Sequence, residues 1–392
     1  MGILRYFLAI VVVIGHSPLT IFAKPLNGDG GLAVQTFYVI SGFYMALIVN
    51  KYRLQSLDIS NIKNFYLSRC LRIYPVYWIC FLVMWGLATF HLVSSPPLPM
   101  DVLKSLDNFS DKIFYIFQNI FIFGQGLMRF TIYDPNTHAF FLTFTGTANY
   151  AVEHHLIQVG PSFLGQSWTL SLELTFYLLV PFILTRKRNT VIALCALSLL
   201  LKFSLYYLGY GYKNYNIQVA FFPSALGVFL LGAISQQIIY PWLRKKSVFF
   251  LQKATYAWIF GLILYVSFLF PRIGSYDLKS GLFVLLIACS LPFLFCYYSK
   301  SAFDRFIGDL SFPVYMTHVF CIGLVQHSKL VNPAYIGYWV VIVSTMVSIF
   351  LVRFVMNPLD KFRHTALVNH SQSNAVVPIQ IVKLQPDPQH VS

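Results

Sequence analysis

Long apolar runs separated by short polar segments set the pattern of this chain. The runs lie at 3–23, 33–50, 73–92, 166–185, 190–208, 216–240, 254–271, 279–299, 311–328 and 334–356. A helix of about 20 such residues, rising about 1.5 Å per residue, crosses a hydrocarbon core about 30 Å thick. The pattern therefore predicts an all-α, polytopic integral membrane bundle of about ten transmembrane helices. The longest connection, 93–165, opens with Ser94-Ser95-Pro96-Pro97-Leu98-Pro99 and holds an aromatic stretch, Ile113 to Phe123, too short to span. That stretch either lies in the interface or lines a membrane-facing rim. Without a clear periodic core the connection does not make a second soluble domain. The expected organisation is one transmembrane domain over 1–358 that includes 93–165. A polar, proline-bearing tail over 359–392 is expected to be disordered and cytoplasmic.

Composition agrees. The chain is 57% hydrophobic and 10% charged, with a mean hydropathy of +0.66, whereas a soluble domain carries about 25% charged residues. A net charge of +15 raises the question of nucleic acid, but its distribution answers it. Placing the N-terminus inside collects Arg5, the set Lys51 to Arg72, Arg186 to Arg188, Arg244 to Lys253, Lys300, Arg305 and the basic residues after 352 on one side. That excess is the positive-inside signature, with both termini cytoplasmic. The partner is thus a lipid bilayer and not nucleic acid. The first run begins almost at Met1, is too long for a cleavable signal and lacks a small-residue cleavage pattern. The six cysteines have no spacing with histidine that suits a metal, and no disulfide framework is expected.

A few polar residues interrupt the apolar runs, and each such interruption costs energy unless the side chain has a partner or a task. Arg5 and His16 are close to three turns apart and so share a face of the first helix, about 16 Å apart along its axis. Spacing alone fits either a functional pair or a core histidine beside an interfacial arginine. Ser41 follows in Phe37-Tyr38-Val39-Ile40-Ser41-Gly42-Phe43. Glu173, in Trp168-Thr169-Leu170-Ser171-Leu172-Glu173-Leu174-Thr175-Phe176-Tyr177, is the one acid within the runs as drawn. It is either sealed structurally by Thr169 or Tyr177, one turn away, or functional. With these boundaries His16, Ser41 and Glu173 share a depth of about 10–12 Å below the outer surface, which suggests one cavity. At the inner end Arg69 and Arg72 would share a helix face, suited to a phosphate, although arginines flanking a span also serve topology alone. His318, in Ser311-Phe312-Pro313-Val314-Tyr315-Met316-Thr317-His318, would stand about 10 Å above the inner surface, in the same cavity lower down or paired with a neighbouring helix.

In this order and across ten spans, these motifs resemble the membrane-bound acyltransferase family 3, whose members O-acylate bacterial surface polysaccharides. The resemblance runs from Arg5 to about His318. It departs in having Thr169 where serine is usual, and in lacking the C-terminal esterase-like domain that many relatives carry. Direct transfer within the membrane domain is therefore expected, without a relay through a second serine. What the resemblance implies is an O-acyltransferase, acetyl by preference, in the bacterial cytoplasmic (inner) membrane. It would move an acyl group from cytoplasmic acetyl-CoA to an extracytoplasmic glycan such as lipopolysaccharide O-antigen or an exopolysaccharide. His16, Glu173 and Arg5 are the expected catalytic residues. Arg69, Arg72, Ser41, Trp168, Tyr177 and His318 are the expected substrate-binding residues. No metal and no permanently bound cofactor is expected, acetyl-CoA being a donor substrate. The rival reading is a proton-coupled transporter or flippase, since His and Glu at one depth also suit a proton relay. The sequence shows neither inverted repeats nor interrupted helix pairs to support it.

Overall fold

The computed structural model describes residues 1–363 apart from 22–23, 27, 53, 94–98, 145–150, 152, 161 and 211–214. Arg53, Lys213, most of the Ser94 to Pro99 opening and the tail from 364 onward lie outside the described residues. The helices are α1 (Gly2–His16), α2 (Gly30–Lys51), α3 (Ile59–Thr89), α4 (Phe109–Phe121), α5 (Trp168–Ile183) and α6 (Arg188–Tyr207). They continue with α7 (Phe222–Leu243), α8 (Val248–Leu264), α9 (Tyr276–Tyr298), α10 (Ala302–Ser328), α11 (Ile336–Leu351) and a last short helix, α12 (Asn357–Arg363). Eight are long and apolar enough to cross a membrane, and α1 and α5 are shorter apolar helices. The protein is an all-α, polytopic membrane bundle, as the runs predict. Strands are few: a hairpin of β1 (Leu19–Ile21) and β2 (Lys24–Leu26), and a sheet in the order β4-β3-β5 within the long connection. In that sheet β3 is Thr131–Asp134, β4 is Ala139–Leu142 and β5 is Ile157–Gln158.

Three boundaries differ from the sequence reading, and each moves a functional residue. The first helix does not reach residue 23. It ends at His16, because Pro18 keeps the preceding residue out of the helical region, and Ser17 sits at φ −145, ψ 88. The chain then turns into the β1–β2 hairpin, with Leu19 opposite Leu26. Helix α3 starts at Ile59, not near 73, so Arg69 and Arg72 lie within a helix. Helix α10 starts at Ala302, not 311, because the Ser301 hydroxyl caps it by accepting from the Asp304 N–H at 3.1 Å. Asp304 and Asp309 therefore belong to a spanning helix, and Glu173 is not the only acid within one.

Close helix approach holds the centre. A Cβ on Gly42 would stand 1.7 Å from the Phe229 carbonyl oxygen, and one on Gly232 would stand 1.8 Å from that of Val39. Helices α2 and α7 thus touch backbone to backbone, which only glycine permits at these two positions. Around this contact Tyr38 and Phe176 both stack on Phe229, with ring centroids 4.5 Å apart in each pair.

The connection between α3 and α5 dips into the bundle. The last-turn carbonyls of α4 receive hydrogen bonds from three consecutive aromatic positions of α3. Tyr74 donates to Phe121 at 2.7 Å, Trp78 to Ile120 at 3.0 Å, and Tyr77 to Asn119. These donors lie about 16–22 Å along α3 from its end at Thr89. Carbonyls at a helix end have no intrahelical partner, and irregular backbone at membrane depth survives only where protein groups satisfy it. The other face of α4 exposes Phe109, Ile113, Phe114 and Phe117. That exposed apolar face fits both placements open to the aromatic stretch, the interface and a membrane-facing rim. Its inner edge is stitched onward: Ser167 donates to the Gln125 side chain at 2.5 Å, and the Phe163 N–H to the Asn119 side chain at 3.0 Å.

Candidate active site

Helices α1 and α5 both stop inside the bundle. Measured from its basic, inner end, α1 carries His16 up about 21 Å and α5 carries Thr169 to a similar height. Ser41 and Glu173 lie lower, each about 15 Å from the inner end of its own helix. The single depth expected for His16, Ser41 and Glu173 is thus not observed. The polar groups occupy two layers.

The lower layer lines a cavity of about 410 Å³, within the usual range of small-molecule sites. Arg5, Arg69 and Arg72 line it, with Ser41, Glu173, Tyr177 and Asp309. Ser41 donates to the Glu173 carboxylate at 2.9 Å, and Tyr177, one turn on, donates to the same oxygen. Glu173 is therefore held by the two residues nearest it, and no bond to His16 is present. Arg69 is 5% exposed. Its guanidinium lies 6.0 Å from the Tyr177 ring centroid, Nη2 donates to Ser68 at 3.2 Å, and Nε has no hydrogen-bond partner among the described residues. Asp309 and Glu173 are the counter-charges that act on Arg5 and Arg72. The charged lining is Arg5, Arg69, Arg72, Arg305 and the Met1 amine, which is paired with Asp304, against Glu173, Asp304 and Asp309. This cationic excess leaves the cavity suited to an anion.

The cavity ends upward at Thr169 and Tyr315, whose hydroxyls hydrogen-bond at 2.8 Å. Phe37 packs edge-on against the Tyr315 ring at 6.1 Å, and the Gln166 side chain donates to the Met316 carbonyl at 2.7 Å. These contacts stitch the start of α5 to the middle of α10.

The upper layer is a histidine pair. The His16 and His318 rings stand 5.1 Å apart, tilted by 54°. His16 is exposed, while His318 is wholly buried at 0%. His318 is thus not lower in the cavity than His16. Because α10 begins at Ala302, it rises about 24 Å to meet His16, and neither histidine lines the cavity. Arg5 and His16 do share a face of α1: His16 stands against His318 of α10, and Asp309 of the same helix is among the charges that act on Arg5. Trp168 stands apart from both layers, under the guanidinium of Arg129 at 4.8 Å from its ring centroid.

A family model described as an acyltransferase domain, acyltransferase 3, matches residues 1–357. The chain belongs to this family. It is similar to proteins named O-acetyltransferase OatA from Staphylococcus aureus strains NCTC 8325 / PS 47, COL and MRSA252. Each is 26% identical over 386 residues, covering 91% of this chain and 56% of the relative. The chain thus spans a little over half the length of these curated relatives. No solved structure matches it. The chain is thus a multi-pass membrane protein that carries an acyltransferase 3 domain.

Three members of this acyltransferase site escaped the sequence reading. Asp309 was hidden by the misplaced start of α10, although Ser301-Ala302-Phe303-Asp304 has the spacing of a capping box. Tyr315 looked like an ordinary aromatic in an apolar run, and nothing local marks it as the bond partner of Thr169. Arg129 lies in the long connection, where an arginine reads as a solvated charge until the re-entrant path is known.

Proposed function

We propose that this protein is an O-acetyltransferase of the bacterial cytoplasmic membrane that takes acetyl from cytoplasmic acetyl-CoA and gives it to a hydroxyl of an extracytoplasmic glycan. The observation that carries this reading is the order of groups along the bundle: cations at the inner end, a polar cavity above them, a hydroxyl latch, then a histidine pair. The phosphates of acetyl-CoA meet Arg5, Arg69 and Arg72, the forked guanidinium being the side chain best matched to phosphate. The acyl-bearing arm extends past Ser41 and Glu173 toward Thr169 and Tyr315. His16 receives the glycan hydroxyl from the outer side and acts as general base on it. The hydroxyl oxygen attacks the thioester carbonyl, the C–O bond forms as the C–S bond breaks, and the proton taken by His16 is returned to the leaving sulfur. Glu173 serves in the donor cavity through Ser41 and Tyr177 and is not the partner of His16. Trp168 and Arg129 belong to the acceptor side, and residues 1–358 act as one catalytic unit.

The test uses the purified full chain in lipid nanodiscs with radiolabelled acetyl-CoA and surface glycan from cells lacking the gene. Label is expected in the glycan with the native chain and none with His16→Ala, while both insert equally in the membrane. Full transfer by His16→Ala overturns the general-base assignment, and absence of label transfer from acetyl-CoA by the native chain overturns the donor.

A further inference from the structure

The Glu173 carboxylate, expected in one cavity with His16, is engaged by Ser41 and Tyr177, and the group beside His16 is another imidazole. The hydrogen bonds of the two rings fix their protons. His16 Nδ1 lies 2.9 Å from the Val12 carbonyl oxygen, and His318 Nδ1 lies 2.7 Å from that of Tyr315. A carbonyl oxygen only accepts, so each Nδ1 carries a hydrogen and each neutral ring keeps its lone pair on Nε2. Two backbone carbonyls thus turn two bare Nε2 atoms to the outside of their turns. For His318 that atom is buried and has no hydrogen-bond partner among the described residues. A buried acceptor left unsatisfied is costly, and such an orphan calls for a reason.

We propose that His318 is the positioning base of the reaction: when His16 has taken the proton of the acceptor hydroxyl, the Nε2 of His318 shares the new Nε2–H of His16 with the acceptor oxygen, as the second acceptor of a three-centre hydrogen bond. In the resting pair both nitrogens are acceptors and nothing binds them to each other. Once His16 is protonated it becomes a donor, and the orphan acceptor gains its partner. The contact exists only in the protonated state, so it favours the transition state over the ground state. The proton stays within the pair, which shares one positive charge between two rings. It then returns to the leaving thiolate, giving the free thiol. No oxidant, metal or further reactant is needed. The burial of His318 keeps water from competing for Nε2, whereas exposed His16 keeps its access to the acceptor. The titratable groups around the pair are few. Tyr315 and Cys321 come from the same helix as His318, and Arg129 and Glu173 act on Tyr315. The first turn of α1 adds Arg5, about 16 Å away along the axis.

This inference rests on the general-base reading of His16, and the experiment separates the two. Transfer from acetyl-CoA is measured across pH for the native chain, His16→Ala, His318→Asn and His318→Phe, with folding checked by thermal melting in the same nanodiscs. Loss of the shared proton is expected to lower kcat by about 100-fold in both His318 variants, in the range of one general acid–base contribution. It should leave KM for acetyl-CoA within twofold. The limb of the pH–rate profile that reports His16 is expected to move to lower pH, because the protonated ring has lost its acceptor, so His16 charges less readily. The side-chain oxygen of His318→Asn offers an acceptor and is expected to recover part of the shift relative to His318→Phe. A His318→Phe protein that melts like the native chain and keeps its rate and profile overturns the role of His318 while leaving that of His16 intact. An active His16→Ala protein overturns both. If His318→Phe does not fold, the smaller His318→Leu, which also lacks an acceptor, is measured in its place, and an unmoved limb there refutes the proposal.

Discussion

Replacing Glu173 by glutamine separates the two layers of the site. The glutamine keeps the volume and an acceptor oxygen, so Ser41 (2.9 Å) and Tyr177 still have a partner. Hydrogen bonds to a charged acceptor contribute about 1.5–3 kcal/mol and neutral ones about 0.5–1.5. Each of the two bonds should therefore weaken by about 1 kcal/mol, a loss of about 2 kcal/mol in all. Ser41→Ala removes one of the same two bonds. In the double variant only the Tyr177 bond is left to weaken, so Glu173→Gln should then cost about 1 kcal/mol, giving a coupling of about 1 kcal/mol. The assay is denaturant unfolding in mixed micelles for the native chain, both single variants and the double. Additivity within about 0.3–0.5 kcal/mol would mean that the two side chains do not interact. The pH–rate profile gives an independent check. Because the carboxylate is bonded to Ser41 and Tyr177, Glu173→Gln should lower the rate without moving the limb that reports His16. A moved limb would place Glu173 against His16 after all and refute the two-layer assignment.

Two further outcomes follow from the same geometry. Arg72→Ala should weaken acetyl-CoA binding by about tenfold or more, the scale of one charge-assisted phosphate contact, whereas exposed Lys51→Ala should change it by less than threefold. Arg72→Lys should fall between them, and equal effects of Arg72→Ala and Lys51→Ala in a binding titration would reduce the arginine to a topological charge. Gly42→Ala should abolish accumulation of folded protein, since its Cβ would stand 1.7 Å from a backbone oxygen. Gly261→Ala, with nothing within 4 Å, should leave the melting temperature equal or higher, given that glycine costs a helix about 0.5–1 kcal/mol relative to alanine.

The apolar helices were legible because lipid leaves little choice: an apolar run of the right length becomes a helix whatever its neighbours, although eight rather than ten of the described helices are long and apolar enough to cross a membrane. Arg5, Ser41 and Glu173, which line the cavity, were legible for the same reason, since a polar group within such a run is costly enough to need a purpose. Their pairing was not. Pairing depends on height along each helix, and height depends on helix ends, where hydropathy is least informative. Pro18 ends α1 within an apolar run, and Ser301 starts α10 before one. Both are local signals of backbone chemistry, and hydropathy passes over them. Moving these two ends takes His16 away from Glu173 and brings it to His318. The re-entrant path of 109–129 was beyond reach, because its capping groups come from Tyr74, Tyr77 and Trp78 on another helix.

The two short helices explain why the long connection has to enter the bundle. Helices α1 and α5 each rise only about 21–22 Å from the inner side, which leaves the outer part of a core about 30 Å thick unfilled above each of them. An open gap there would let water reach the thioester, and a full-length helix in either place would bury His16 away from any glycan. Filling the gap with α4 and the turn at Gln125 meets both conditions. The turn's Gln125 is tied to Ser167 at the head of α5, and the Gly126 N–H approaches the Ser171 hydroxyl at 3.4 Å. The outer side therefore closes over the donor cavity while His16, at the end of a helix that stops early, stays exposed. In the proposed reaction the polyanionic donor from inside and the acceptor from outside would meet across one layer of side chains, Thr169 and Tyr315. The short helices are what make that layer thin.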